Sequence, residues 1–235
     1  MRINKFIREA GKTSRRGADQ LIEDGRVFIN GRRAKIGEEV EPGDDVRVDG
    51  NQLYVPNNNV YIALNKPVGI TSTTDKDVKG NIASLVNQPF RVFNIGRLDK
   101  DSEGLILMTN DGDIVNEILR PENEHEKEYI VSVDRPIQPD FLENMASGVR
   151  ILGTKTKPSK VNQLSKYEFN IILTQGLNRQ IRRMTEALGY NVTRLQRIRV
   201  MNIHLGNLPP GEWRYLSKKE KNELFDELDY EPREW

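Results

Sequence analysis

Apolar residues fall at helical spacing twice near the start of this chain. Ile3, Phe6, Ile7 and Ala10 stand at i, i+3, i+4 and i+7, which predicts a helix with one apolar face, ended by Gly11. Ser14 is placed to cap a second helix carrying Ala18, Leu21 and Ile22, closed by Gly25. The period then changes. Val27-Phe28-Ile29 reads as a short strand, Asn30-Gly31 as a two-residue hairpin turn, and Pro42-Gly43-Asp44 as a turn before Val46-Arg47-Val48.

Beyond residue 50 the pattern is mostly strands. Residues 51–59, with Pro56 and three consecutive asparagines, read as a linker between a module at 1–50 and a larger domain at 60–217. Strands are predicted at Tyr61–Leu64, Arg91–Ile95, Leu105–Thr109, Tyr129–Val133 and Phe169–Leu173, with a turn over Asn65–Gly69. Helices are predicted at Asp113–Leu119, Pro139–Ala146 and Asn178–Leu188, the last capped by Asn178 and ended by Gly189. This mixture indicates an α+β fold. Residues 218–235 read as an acidic terminal helix or tail.

Composition narrows the chemistry. The 235 residues include 36 basic and 35 acidic side chains, so any nucleic-acid surface must come from local charge. Cysteine is absent, which excludes disulfides and thiol catalysis and fits a cytoplasmic protein. With two histidines and no cysteine, a structural zinc site is not expected. The N-terminus lacks the apolar core of a signal peptide, and no apolar run approaches the roughly 20 residues of a membrane span. No long apolar surface stripe calls for a partner, so a monomer is expected.

Charge is unevenly spread. Residues 1–35 hold ten Lys or Arg against four acids, with Lys12, Arg15 and Arg16 around the start of the second helix. Helix-start amides beside cations suit a phosphate. Residues 176–201 hold six arginines against Glu186 alone, a candidate RNA footprint that includes Arg179, Arg182, Arg183, Arg194, Arg197 and Arg199. In the predicted helix, Ile181, Met184 and Leu188 share one face, while Arg179, Arg182, Arg183 and Glu186 lie opposite. A third concentration, GRLDKDSEGLILMTNDG from Gly96 to Gly112, sets five charges against the start of an apolar strand. If the segment is extended, Arg97 and Asp99 point the same way. Tyr129 shares a strand face with Val131 and Val133, which makes core packing its default role.

Five segments together resemble a known family. MRINKFIREAGKTSRRGADQLIEDGRVFING resembles an S4 RNA-binding domain; ALNKPVGITST, FNIGRLDKDSEGLILMTNDGD, HEKEYIVSV and GLNRQIRRM resemble successive motifs of the RsuA family of pseudouridine synthases, in order and over about residues 1–216. The resemblance implies a mainly antiparallel sheet crossed by an active-site cleft, and isomerisation of uridine in RNA without metal or organic cofactor. It implies Asp99 as the catalytic carboxylate, Arg182 as its paired cation, Tyr129 as the residue that stacks on the target base, and Arg97 as the side chain that fills the space left by an everted base. It makes Lys66 and Pro67 a structural turn, with Lys66 near a phosphate as an open alternative. Asp101 is assigned no chemistry.

An aspartate suits this reaction either by adding to base or sugar, or by removing a ribose proton. Within the family the similarity points to a uridine in 23S rRNA, presented in a stem-loop; a tRNA anticodon stem-loop is the second candidate. The competing class is a non-catalytic S4-type RNA-binding or ribosome-assembly protein. A glycosidase-like hydrolase would call for a second carboxylate, which the sequence does not offer.

Overall fold

The computed structural model describes residues 1–55, 59–75, 78–86, 88 and 91–232. Pro56, Asn57 and Asn58, at the centre of the expected linker, lie outside the described residues, as do the last three residues of the chain.

The N-terminal unit pairs helices α1 (Ile3–Glu9) and α2 (Arg15–Glu23) with a small antiparallel sheet of β1 (Val27–Ile29), β2 (Arg32–Arg33), β3 (Val46–Val48) and β4 (Asn51–Gln52). The Ser14 hydroxyl accepts from the Gly17 amide, capping α2 as its sequence predicts. Asn30 and Gly31 both take positive φ, the backbone a tight hairpin turn needs. Ile3, Ile7, Ala18, Ile22, Val27, Ile29, Val46 and Val48 form the core. Leu53 and Val55 pack against it, so the N-terminal unit runs beyond residue 50 into the segment expected to be linker.

The larger unit is built on one sheet. In chain order its described elements are β5 (Tyr61–Lys66), β6 (Phe93–Ile95), β7 (Glu103–Thr109), α3 (Gly112–Leu119), β8 (Lys127–Val133), α4 (Pro139–Ser147), the small hairpin β9 (Arg150–Ile151) and β10 (Thr154–Lys155), β11 (Lys160–Gln163), β12 (Glu168–Leu173), α5 (Gln180–Ala187), β13 (Val192–Val200), β14 (Ile203–His204), β15 (Trp213–Tyr215) and α6 (Lys218–Leu228). The sheet order is β11-β12-β8-β13-β7-β5-β15, with β6 on β7 and β14 on β13. Its described pairings are antiparallel except β13 with β7, which runs parallel and aligns Arg197 with Gly104.

β7 shows why its sequence carries no alternation. Leu105 and Leu107 enter one core with Tyr61, Ala63, Ile114 and Leu224, while Ile106 and Met108 enter another with Ile62, Leu64 and Ile82. Both faces are covered, so both must be apolar. α6 covers the first of these cores through Leu224, with Phe225, Leu228 and Tyr230 beside it. The Ser217 hydroxyl and Glu220 carboxylate form a reciprocal cap at its start. The acidic C-terminal segment is therefore a packed helix, and Tyr61 and Tyr230 both donate to Asp111 at 2.7 Å.

The predicted turn at Asn65–Gly69 starts late. Asn65 and Lys66 belong to β5, and the Lys66 side chain is fully buried. Its ammonium donates to the Pro67 and Ile70 carbonyls at 2.9 and 2.8 Å, which ties down the turn that follows. Burial pulls its pKa down to about 8. Lys66 is a structural anchor with no phosphate-facing surface.

The two units touch through α1. Lys5 Nζ lies 2.5 Å from Asp113 Oδ1 at the start of α3, and the Arg8 guanidinium sits 4.9 Å over the Phe93 ring.

Candidate active site

The segment between β6 and β7 delivers the charged cluster. Residues 97–99 are not a strand; they form a loop that turns back at Ser102, whose amide donates to the Asp99 carbonyl at 3.1 Å. Arg97 and Asp99 are therefore not related by strand alternation, yet both line the same cavity. Leu98, buried between them, anchors the loop: its amide and carbonyl both bond to the Ser72 hydroxyl. Arg97 is exposed and Asp99 half-exposed.

The cavity measures about 380 Å³, within the range of small-ligand sites and enough for one nucleoside. Asp99, Tyr129, Arg179 and Arg197 line it, together with Leu98, Leu177 and Ile181. Tyr129 stands on β8 opposite Arg197 of β13 and Ile171 of β12. Its ring packs against two of the domain's cores while its remaining surface meets the cavity, so packing and cavity-lining roles coexist.

The carboxylate partners differ from expectation. Arg179 lies 3.5 Å from Asp99 Oδ2 and also grips both oxygens of Asp101, at 3.1 and 2.9 Å. Arg182, expected to pair with Asp99, meets Asp101 instead. Its Nη2 donates to the Asp101 carbonyl at 2.9 Å and the Ser102 hydroxyl at 3.2 Å, with Nε 3.4 Å from the Asp101 carboxylate. Arg182 is the more buried of the two arginines, and desolvation lowers its pKa. The hydrogen bonds from Arg179 hold the Asp101 carboxyl below its usual range and raise the pKa of Arg179 itself. Asp101, assigned no chemistry from sequence, is the bridge that ties this loop to α5.

Arg179 sits at the start of α5 with φ +49°, a left-handed conformation unfavourable for a side-chain-bearing residue. Asn178, expected to cap that helix, instead accepts from the Arg183 guanidinium through its carbonyl and side-chain oxygens. Arg183 is thereby turned back along its own helix. The Gly189 stop is as predicted, with φ +82°.

The later part of the arginine stripe is engaged by partners within the protein. Arg194 pairs with Glu103 at 2.6 Å, and Arg199 with Glu126 and Glu128 at 2.9 and 2.7 Å. Arg197 is buried and donates to the Leu105 carbonyl at 2.7 Å. Arg197 is therefore no part of an exposed RNA footprint and Arg199 is half-buried, whereas Arg194 stays exposed beside its acid. Lys12, Arg15 and Arg16, by contrast, are all exposed. His204 is exposed on β14; His125 lines the cavity and contacts the Glu117 carbonyl at 3.1 Å. Among the described residues no group of three or more His, Asp or Glu side chains is placed to hold a metal ion.

An N-terminal helix pair on a small sheet, joined to a large sheet whose cleft gathers a GRLD aspartate, a tyrosine and a QIRR helix, defines a class. The chain belongs to the RNA pseudouridylate synthase family, whose model matches residues 60–187, and residues 1–46 match the S4 domain. Its activity is therefore the isomerisation of uridine in RNA to pseudouridine. It is 56% identical over 228 residues to the dual-specificity RNA pseudouridine synthase RluF of Escherichia coli strain K12, spanning 96% of this chain and 78% of that one. It is 35% identical over 232 residues to the ribosomal large subunit pseudouridine synthase B of Bacillus subtilis strain 168, with 95% of each covered. A solved pseudouridylate synthase superposes with a TM-score of 0.71 at 30% identity, covering 95% of this chain and 99% of that one.

Proposed function

We propose that this synthase acts on a uridine in 23S rRNA, everting it from its stem-loop into the cavity beside Asp99. The Asp99 carboxylate attacks the nucleoside or removes a ribose proton, Tyr129 stacks on the base, and Arg97 at the rim fills the vacated stack. Arg179 is the cation held against Asp99; Arg182 positions both through Asp101 and Ser102. Lys12, Arg15 and Arg16 grip phosphates of the surrounding stem, and the protein works as a monomer in the cytoplasm. The domain division we propose follows from the same reading, with the S4 unit as grip and the sheet unit as reagent.

The observation that carries this reading is that Asp99 and Tyr129, thirty positions apart, line one cavity of nucleoside size. Eversion costs a few kcal/mol, and a side chain entering the gap offsets part of it. The large-subunit substrate is supported by the name of the Bacillus relative. The relatives at 56% identity are called dual-specificity enzymes, which favours a second substrate here, and a tRNA anticodon stem-loop would present a comparable uridine. Pseudouridine mapping of total RNA from cells with and without the gene tests this. A 23S rRNA position that loses its pseudouridine supports the proposal; loss confined to other RNA overturns the substrate.

A further inference from the structure

Strand β8 and the residue before it sort their charges by face. Glu126 and Glu128 are neutralised by Arg199 and Lys160. Lys127 and Tyr129 alternate with them and line the cavity, where Arg197 stands opposite Tyr129 across the strand pair. Among the described lining residues Asp99 is the sole carboxylate. Lys127 finds only the His125 carbonyl, at 3.2 Å. Arg197 is 3% exposed, and its Nη2 has no hydrogen-bond partner. Two partly or wholly buried cations without an acid are expensive to hold unless something anionic joins them. Both stand beside the tyrosine on which the base is proposed to rest.

We propose that Lys127 and Arg197 are catalytic residues that hold the uracil as an anion while it is detached from the ribose. This rests on the reading of Asp99 and Tyr129 given above. When the N1–C1′ bond breaks, its electron pair stays on the base and spreads over N1, O2 and O4. C1′ is then bonded to the Asp99 carboxylate, or the C2′ proton has passed to it. The base turns and C5 bonds to C1′, releasing the carboxylate or drawing the proton back to C2′. C5 loses its proton and N1 gains one, so the isomerisation is neutral. Fixed cations beside the cavity stabilise an anion more than a neutral base, and so favour bond breaking over ground-state binding.

The groups facing Lys127 are Arg197 from β13, His125 just before β8 and Tyr129 on its own strand; Leu173 and Val200, its strand partners, are apolar. Burial, and then the neighbouring Arg197, bring the Lys127 pKa down to about 8. The anion-holding form is therefore lost as pH rises through that value.

The test uses the substrate RNA found by mapping, transcribed unmodified, under single turnover. Lys127→Met is expected to slow conversion about 100-fold, the scale of losing one anion-stabilising donor, with RNA affinity unchanged. The wild-type rate should fall above pH of about 8, whereas Lys127→Arg, whose charge persists, should keep its rate there. Weakened RNA binding with an unchanged saturated rate would make Lys127 a phosphate contact and overturn the proposal. So would a fall retained in Lys127→Arg, which would point to Lys66, whose pKa burial also brings down to about 8. Asp99→Asn run in parallel separates the failures. An active Asp99→Asn overturns the site itself, while an inactive one beside a fully active Lys127→Met overturns only the anion proposal.

Discussion

Gly104 and Arg197 approach so closely across the parallel pair of β7 and β13 that a Cβ on Gly104 would lie 2.3 Å from the Arg197 carbonyl oxygen. Gly104 also takes φ +102°, which other residues rarely adopt. The glycine between the charged loop and the apolar strand is what allows this junction to close, immediately after the loop that carries Asp99. Gly104→Ala forces backbone against backbone at a buried position. It is expected to destabilise the protein by about 3 kcal/mol or more, read as a lowered midpoint in urea.

Asp101 should matter to turnover although it need not touch RNA. It fixes Arg179 and Arg182 together, so Asp101→Asn weakens both grips while keeping the side-chain shape. The expected result is a fall in the single-turnover rate of about 10- to 100-fold with RNA affinity nearly intact. The same loss in an Arg179→Lys protein, which keeps the charge but not the two-pronged geometry, would support the assignment.

Lys12, Arg15 and Arg16 lie far from the cavity in sequence and are exposed. Replacing all three with alanine should weaken RNA binding and flatten its dependence on salt, by roughly 0.7 to 0.9 in logarithmic slope for each phosphate no longer gripped. Conversion at saturating RNA should be unchanged. Filter binding across a salt series measures the slope directly.

The end of the chain gives a pH prediction. Glu220 accepts hydrogen bonds from Arg214 and from the Ser217 amide and caps α6, and these contacts hold its pKa down to about 2. The folded value lies below that of the unfolded chain. The stabilisation is therefore full above pH of about 4.5 and is lost as pH falls toward about 2. Glu220→Gln should remove that part of the acid dependence, and Ser217→Ala should cost about 1 kcal/mol at neutral pH. Denaturation midpoints measured across the acid range check both.

Much of the fold was legible because local rules agree with it. The Ser14 cap, the Asn30-Gly31 turn and the spacing of Ile3, Phe6 and Ile7 each act within a few residues. The sequence is least legible where distant partners decide the outcome. Nothing near Arg194 or Arg199 in sequence reveals that Glu103, Glu126 and Glu128 will face them. Lys66 reads as a turn residue beside Pro67, yet it ends β5 and its buried ammonium is satisfied by carbonyls of the turn that follows. Arg179, the arginine within ion-pair distance of Asp99, lies before α5 in a left-handed conformation that helix periodicity does not anticipate. Strand alternation places Lys127 on the same face as Tyr129, a signal the sequence does carry.

The most direct test of the account is the Asp99→Asn protein. It keeps the shape of the side chain and removes its charge, so the fold and the grip on RNA should survive. Incubated in single turnover with RNA lacking the modification, it is predicted to bind that RNA with wild-type affinity and form no pseudouridine. Conversion at the wild-type rate would contradict the account and leave the cavity without its reagent.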